Sequence, residues 1–196
     1  MYRLFVGLAL SDPLRDQLAR LNHGLPKARW VDPDAYHITL RFIGEVDRHT
    51  AADIDGTLQR IEAAPFELTF SGMGTFGQGR KARSLWVRAE NNPGLRHLQG
   101  KVESAAVRAG LDPEPRKFMP HVTLARFRDV HPSRIQAYIE RHGLFRAGPE
   151  AIDRFVLFES HMGKGGSVYE ELADYPLHHP QQQSSGTAQH AAMPSP

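Results

Sequence analysis

One pattern occurs twice in this chain and limits its fold more than any other feature. Residues 37–42 read HITLRF, and residues 121–127 read HVTLARF. If each copy is a strand, alternation places its His and Thr side chains on one face and its aliphatic side chains on the other, in the core. Two such copies predict two related halves, each with this strand at the centre of its sheet. An approximate two-fold axis between the halves would bring both polar faces to one cleft.

Hydrophobic periodicity predicts short strands and helices in both halves of the chain. Extended or alternating apolar segments predict strands at residues 2–8, 28–31, 37–43, 66–70, 84–90, 119–127, 154–160 and 168–172. Apolar residues three or four apart predict helices near residues 12–21, 51–61, 93–109 and 135–143. Strands and helices do not alternate regularly enough for a doubly wound sheet. We therefore expect an α+β, duplicated bilobal fold, in which two antiparallel-rich sheets with two helices each face a central cleft.

Composition and charge exclude several classes of protein. The chain has no Cys, which excludes disulfides, thiolate metal sites and a cysteine nucleophile. Its 24 basic and 22 acidic residues leave a net charge of only +2, so an anionic partner must be held locally rather than by bulk charge. The apolar stretch at the N-terminus is too short to span a membrane and is broken at residues 11–13. We expect a cytoplasmic monomer without membrane contact.

The composition of the chain changes near its C-terminus. Residues 177–196 are rich in Gln, Ser, Pro and Ala, with too few large apolar side chains to offset the entropy cost of ordering them. We expect residues 1–176 to form one folding unit of two lobes, and residues 177–196 to form a disordered tail.

The paired His residues point to acid–base chemistry in the expected cleft. His has the ordinary pKa nearest neutrality, so two rings can supply a general base and a general acid together. Such a pair suits an in-line displacement at phosphorus, with the Thr hydroxyls donating hydrogen bonds to the non-bridging oxygens. Arg41 lies four residues after His37 and is expected on the same face. Arg126 lies five residues after His121, so it reaches the site only if the strand bulges or ends near Ala125.

Longer stretches around the two motifs resemble a known superfamily. The sequence RWVDPDAYHITLRFIGEV surrounds the first motif, and RKFMPHVTLARF surrounds the second. The segments RLFVGLAL, GMGTFG and HMGKGGSVYEEL extend the likeness to nearly the whole chain apart from its tail. Together they are similar to the 2H phosphoesterase superfamily, and in particular to its RNA 2′,3′-cyclic phosphodiesterases, also described as 2′-5′ RNA ligases. The paired His-x-Thr-x motif makes this resemblance highly specific.

The resemblance implies a fold, a reaction and roles for named residues. The family fold is bilobal α+β, and its reaction opens a terminal 2′,3′-cyclic phosphate of RNA to a 2′-phosphomonoester without a metal or another cofactor. By resemblance, His37 is the proton donor to the leaving 3′ oxygen, and His121 is the proton acceptor that activates water. Thr39, Thr123 and Arg126 correspond to the phosphate-binding residues. The expected partner is an RNA end, tRNA fragments and small nucleotides included, because such a phosphate requires a 2′-hydroxyl.

Several residues near the motifs have more than one interpretation. Arg116 and Lys117 precede the second motif and would touch the RNA backbone if they lie at the rim of the cleft; a solvated basic pair is the equal alternative. Arg41 is a third candidate for RNA contact. Phe42 and Phe127 follow their His by five and six residues, and we expect them in the core rather than stacked on a base.

Two other classes of function are compatible with the motifs. A metallohydrolase would use the two imidazoles as ligands, but Asp34 is the only carboxylate close to either, and its turn is expected to point it outward. A non-catalytic RNA-end binder would hold phosphate in the same cleft without turnover. The sequence also leaves open whether hydrolysis or the joining of RNA ends prevails, and the labels of acid and base rest on the resemblance alone.

Overall fold

The computed structural model describes residues 1–163 and 166–179, in which nine strands and four α-helices follow one another. The strands are β1 (Tyr2–Ala9), β2 (Arg29–Trp30), β3 (His37–Val46), β4 (Phe66–Phe76), β5 (Ser84–Ala89), β6 (His121–Arg126), β7 (Arg146–Ile152), β8 (Arg154–Gly163) and β9 (Gly166–Pro176). The helices are α1 (Asp12–Ala19), α2 (Arg48–Leu58), α3 (Pro93–Arg108) and α4 (Pro132–Arg141).

The strands form two antiparallel sheets, which confirms the expected α+β fold with two lobes. Sheet A has the strand order β3-β1-β8-β9, and sheet B has the order β2-β6-β5-β4-β7. The sheets do not correspond to the two halves of the chain, because β8 returns to pair with β1 while β2 crosses to pair with β6. β3 is therefore an edge strand of sheet A, and its predicted central place is wrong. It still lies against β6 of the other sheet.

Local sequence signals explain where the helices begin. Each α-helix has an N-cap residue whose side chain accepts a hydrogen bond from the backbone of its first turn: Ser11, Asp47, Asn92 and His131. Along α3 the buried residues are spaced three or four apart, as the sequence predicts. That face of α3 packs against α2 and β3. None of the helices in the described part of the chain is long and apolar enough to cross a membrane.

Three predictions about the extent of elements differ from the structure. β4 continues through residues 71–76, beyond the strand predicted at residues 66–70, because this glycine-rich segment stays paired with β5 across a register shift. The sequence does not predict β7, because RAGPEAI lacks an alternating pattern. Leu177 belongs to the predicted tail but is buried, and its backbone N–H donates to the carbonyl of Asp153. The rest of that prediction, residues 180–196, lies outside the described residues.

Candidate active site

A bulge in each motif strand decides which side chains face the cleft between the sheets. In the ladder between β1 and β3, the pairing passes from Thr39 to Arg41 and skips Leu40. The ladder between β5 and β6 skips Leu124 at the corresponding place. One extra residue reverses the alternation beyond it. In both motifs, therefore, the fifth residue after the His shares the face of the His.

These fifth residues are Phe42 in the first motif and Arg126 in the second. Arg126 fulfils the condition that the sequence set for its presence in the site, because the strand does bulge next to Ala125. Its charge lowers the pKa of both motif His residues, which indicates that its guanidinium is within electrostatic range of both rings. Phe42 is 54% exposed, so its predicted place in the core is wrong, whereas Phe127 is buried as predicted.

The two motif His rings are oriented by the same kind of hydrogen bond. The Nδ1 atom of His37 lies 2.8 Å from the carbonyl oxygen of Ala35, and the Nδ1 atom of His121 lies 2.7 Å from that of Met119. Because a carbonyl oxygen only accepts, Nδ1 carries the proton, and Nε2 of a neutral ring is left to accept one. The Nε2 atom of His37 lies 3.2 Å from Oγ1 of Thr39. The His and Thr of the first motif thus share a face, as predicted.

Burial keeps both rings neutral near pH 7. Desolvation lowers the pKa of His37 to about 4, and the positive charges of His121 and Arg126 contribute in the same direction. Desolvation also lowers the pKa of His121, again with a contribution from Arg126. In each case the hydrogen bond to a backbone carbonyl opposes the change. Together with the contact between β3 and β6, this electrostatic coupling of three side chains from two sheets indicates that the motifs meet in one site.

Aromatic side chains surround both His rings. The sequence analysis assigns none of them a role in the site. Tyr169 of β9 meets the His37 ring edge to face, with centroids 4.8 Å apart. Phe76 of β4 meets the His121 ring in the same way, also at 4.8 Å. Further rings pack beside these: Phe5 and Phe158 near His37, and Trp86 near His121. This packing reduces the contact of the rings with water and limits their rotation, and the desolvation contributes to the low pKa values.

Two glycines leave room for the aromatic packing. A Cβ atom on Gly74 would lie 2.4 Å from the ring of Trp86, far inside van der Waals contact. Trp86 pairs with Gly74 on one side and with Thr123 on the other, so the indole lies next to the second motif. A Cβ atom on Gly7 would lie 2.8 Å from a backbone oxygen of β3. Gly7 pairs with Thr39, so Thr39 has a glycine beside it, just as Thr123 has the flat ring of Trp86 beside it.

Arg41 does not face the cleft, and its predicted place on the face of His37 is wrong. The bulge turns its side chain to the opposite face, where it is buried and forms ion pairs with Glu103 of α3 at 2.8 Å and with Glu114 at 3.3 Å. It also donates a hydrogen bond to the carbonyl of Asp112. This burial removes Arg41 from the candidates for RNA contact. The side chain instead ties the first motif to the segment that leads into the second.

Three exposed cations lie near the second motif. Arg116 and Lys117 are exposed, so their contact with RNA remains a prediction; the guanidinium of Arg116 is paired with Glu114 at 2.8 Å. Arg88 of β5 is a candidate that the sequence analysis did not propose. It pairs directly with His121 across the ladder, and such partners share a face. Arg88 is therefore a further cation on the cleft face of sheet B.

The assembled groups are suited to acid–base chemistry at a phosphate. Two imidazoles can exchange protons through Nε2, two hydroxyls can donate, and one guanidinium can balance negative charge. The side chain of Asp34 is 91% exposed and points outward, as the sequence predicts. Within residues 1–163 and 166–179, no three His, Asp or Glu side chains are grouped so that they could hold a metal ion.

The sequence also matches a family model and curated relatives. The model described as LigT-like phosphoesterase matches twice, over residues 8–86 and 87–169, and each match contains one motif. An RNA 2′,3′-cyclic phosphodiesterase of Aeropyrum pernix is 33% identical over 162 residues, which cover 81% of this chain and 90% of the relative. A protein of the same name from Bacillus subtilis is 31% identical over 183 residues, which cover 88% of this chain and 95% of the relative.

Solved structures of similar proteins have the same fold. The crystal structure of E. coli LigT complexed with 3′-AMP has a TM-score of 0.73 and 28% identity, and the match covers 91% of this chain and 99% of that chain. E. coli LigT complexed with phosphate has a TM-score of 0.68 and 25% identity over 91% of this chain and 98% of that chain. The family match spans most of the sequence and includes both motifs. This chain therefore belongs to the LigT-like phosphoesterase family, within the 2H phosphoesterases.

Proposed function

We propose that this chain hydrolyses the terminal 2′,3′-cyclic phosphodiester of RNA to a 2′-phosphomonoester. The observation that carries the proposal is the contact between β3 and β6, the strands that bear the two motifs; the charge of Arg126 also lowers the pKa of both His37 and His121. The RNA 2′,3′-cyclic phosphodiesterases of Aeropyrum pernix and Bacillus subtilis support it, because their likeness extends over 81% and 88% of this chain. The proposed partner is an RNA end, since DNA has no 2′-hydroxyl with which to form the cyclic phosphate.

The proposed reaction is an in-line displacement. His121 takes a proton from water as the water oxygen attacks phosphorus. The bond between phosphorus and the 3′ oxygen breaks, and His37 donates its proton to that oxygen. Thr39, Thr123 and Arg126 hold the non-bridging oxygens, where negative charge grows. If the 5′-hydroxyl of another RNA end takes the place of water, the same steps form a 2′-5′ linkage.

The low pKa of both rings affects the two roles differently. A neutral His121 is ready to accept a proton at pH 7, as a general base must be. His37 must first gain the proton that it donates, and its pKa of about 4 opposes this in the free protein. A bound phosphate anion stabilises a charged ring and raises its pKa. Substrate binding therefore prepares the acid.

Two exposed aromatic rings support a nucleotide as the substrate. Phe42 is 54% exposed and lies 5.8 Å from Phe5 between ring centroids, on the sheet A side of the cleft. Phe76 is 38% exposed and packs on His121 from the sheet B side. An unstacked RNA base gains about 1–3 kcal/mol by stacking on such a ring. We assign base stacking to Phe42 and Phe76.

We also propose that residues 1–176 act as one unit and as a cytoplasmic monomer. Strands from the beginning and the end of this range share sheet A, and residues of both sheets contribute to one hydrophobic core. Separation of the two lobes would expose that core, so the site requires both in one folded unit.

The function is tested with a nucleoside 2′,3′-cyclic monophosphate as substrate. His37→Ala and His121→Ala are each expected to lower kcat by roughly 10²- to 10⁴-fold, because each removes one proton transfer. His49→Ala is the matched control, since the side chain of His49 is 90% exposed on α2, and it is expected to keep wild-type turnover. Wild-type turnover in either motif variant would contradict the mechanism.

Product identity and a chelator distinguish the alternatives. We expect a 2′-phosphate product; a 3′-phosphate would exchange the roles of the two His residues. We expect EDTA to leave the rate unchanged, whereas a loss that a divalent metal restores would favour a metallohydrolase. Tight binding of a cyclic RNA end by the wild type without turnover would instead identify a non-catalytic RNA-end binder.

A further inference from the structure

A second concentration of positive charge lies on the helical side of the molecule. A groove of about 430 Å³ between α2 and α3 has four Arg or Lys side chains in its lining: Arg60, Arg96, Lys101 and Arg108. None of the lining residues is acidic. The net charge of the whole chain is only +2, so this density of cations is a local property of the groove.

Helix spacing explains how the groove is built. The side chains at positions 97, 101, 104 and 108 are three or four residues apart, so they follow one face of α3. Arg60, just beyond the end of α2, stands on the opposite wall. A Cβ atom on Gly100 would meet no heavy atom within 4 Å. The floor between the cations is therefore open and small enough for a phosphate group to approach the helix.

Among the described residues, the four cations of the groove have no carboxylate partners. In the part of the chain that the structure describes, none of them lies within 4.0 Å of an Asp or Glu oxygen, although Arg41, Arg116 and Arg154 each have such a partner. Like charges in one groove repel each other across a medium of lower dielectric constant than water. An anion that neutralises them relieves this repulsion, which favours binding of phosphate groups.

The groove lies outside the catalytic cleft, and α3, which forms one of its walls, also packs against β3. Glu103 of α3 pairs with Arg41 on the face of β3 opposite His37, so α3 covers the back of that strand. β3 is the edge strand of sheet A. After α3 the chain runs to the exposed residues 116 and 117 and then into the second motif at His121. Arg116 and Lys117 are thus exposed cations in the segment that joins α3 to the second motif.

We infer that this groove binds backbone phosphates of the RNA whose cyclic end occupies the cleft. The identity of the ligand rests on the proposed function, and the site itself rests on the four cations without carboxylate partners, of which Arg96 donates a hydrogen bond to the side-chain oxygen of Asn91. Arg side chains present forked donors that match phosphate oxygens, and three of the four cations are Arg. A mononucleotide fills the cleft alone, whereas a longer RNA reaches both sites and gains affinity from the second.

The test compares two triple variants that each remove three positive charges. Arg60→Gln, Arg96→Gln and Arg108→Gln together remove them from the groove. Arg20→Gln, Arg134→Gln and Arg141→Gln together remove them from exposed positions on other elements. The substrates are a cyclic mononucleotide and a series of longer oligoribonucleotides with the same cyclic end.

The groove variant is expected to keep wild-type kcat/KM for the mononucleotide. For the longer RNA it is expected to raise KM about ten-fold or more, an effect that the control variant lacks. The RNA length at which the two variants diverge measures how far the groove lies from the cleft along the strand. Equal KM values for the long RNA in both variants would overturn the inference.

Binding measured by fluorescence anisotropy separates this inference from the proposed function, because it needs no turnover. The logarithm of the affinity of the wild type for the longer RNA should fall with the logarithm of salt concentration, and loss of three phosphate contacts should reduce the slope by about 2. If the RNA binds with this dependence but is not hydrolysed, only the proposed function fails. If the groove variant loses affinity for inorganic tripolyphosphate and not for RNA, the groove is a site for free polyphosphate and the inference fails. A single variant, Lys101→Glu, provides the same readout should the triple variant fold poorly.

Discussion

The ring of Tyr169 meets the ring of His37 edge to face, with centroids 4.8 Å apart. The two residues belong to the opposite edge strands of sheet A. Phe5, from a strand between them, lies 4.8 Å from His37 and 5.0 Å from Tyr169. Phe158, from the remaining strand, is stacked on Phe5. The ring that we propose as the acid is therefore positioned by side chains from the other three strands of its sheet.

Tyr169→Ala is expected to lower kcat by up to about ten-fold, because it removes an aromatic pair worth about 0.5–1.5 kcal/mol from the ring that donates the proton. It should also raise the pKa of His37 towards its ordinary value, since the ring becomes better hydrated. Tyr169→Phe keeps the ring and is expected to behave as the wild type. Single-turnover rates and NMR titration of the imidazole measure both effects. Equal losses in the two variants would show that the hydroxyl matters instead.

The low pKa values of the motif His residues predict where activity is highest. The pH dependence of kcat/KM reports the free protein, in which one ring must be neutral and the other protonated. The pKa is about 4 for His37 and lies below 6.5 for His121, so the maximum of kcat/KM is expected on the acid side of pH 6.5. Bound phosphate raises both pKa values, so the maximum of kcat should lie at higher pH. A kcat/KM maximum above pH 7 with a cyclic mononucleotide would contradict this assignment.

Gly74→Ala is expected to disturb the second motif by displacing Trp86, whose ring packs beside His121. The new methyl group would lie 2.4 Å from the ring of Trp86, which must then shift towards Phe76 and His121. Such overpacking costs about 1–3 kcal/mol of unfolding free energy, and kcat should fall with it. Gly56→Ala in α2 is the control: its Cβ would enter open space, and it should gain about 0.5–1 kcal/mol without a change in kcat. Urea unfolding and steady-state kinetics measure both variants.

Arg41→Met is expected to lower the free energy of unfolding by about 3–5 kcal/mol, because it leaves the carboxylates of Glu103 and Glu114 without this cation in a partly buried place. Arg154→Met, which breaks the exposed ion pair with Glu171, should cost less than about 1 kcal/mol. Urea unfolding compares the two. Similar losses in both variants would mean that Arg41 does not connect the motifs. Addition of Glu103→Gln to Arg41→Met should recover part of the stability.

The alternation of side chains along a strand correctly predicts which residues of each motif face the cleft before the bulge. Beyond the bulge the same rule gives the wrong face. His37 and Thr39 share a face, as a period of two requires. Beyond the bulge the next two residues exchange faces, so Arg41 is buried and Phe42 faces the cleft. Neither motif has a glycine of its own at the bulge, and the position of each bulge depends on pairing with the neighbouring strand. For this reason the sequence alone predicts only that Arg126 joins the site if its strand bulges or ends near Ala125.

Contacts between distant segments account for the other differences. No local sequence pattern specifies that the last strands return to pair next to β1. The sequence therefore does not predict that strands of the two halves of the chain share a sheet. Phe76 and Trp86 lie in strands whose pairing brings them to His121, and Tyr169 reaches His37 through the β8–β9 hairpin. Each is an ordinary aromatic residue in the sequence. Only the sheet order identifies them as neighbours of the motifs.

The return of the last strands to sheet A has a consequence for synthesis on the ribosome. β1 and β3 emerge early, but β1 obtains its second partner only when β8 has been translated. Until then the nascent chain presents an unpaired strand edge, which invites association with other chains. The aromatic support of His37 is likewise incomplete until β9 has left the exit tunnel. The N-terminal motif thus becomes competent for chemistry only near the end of translation.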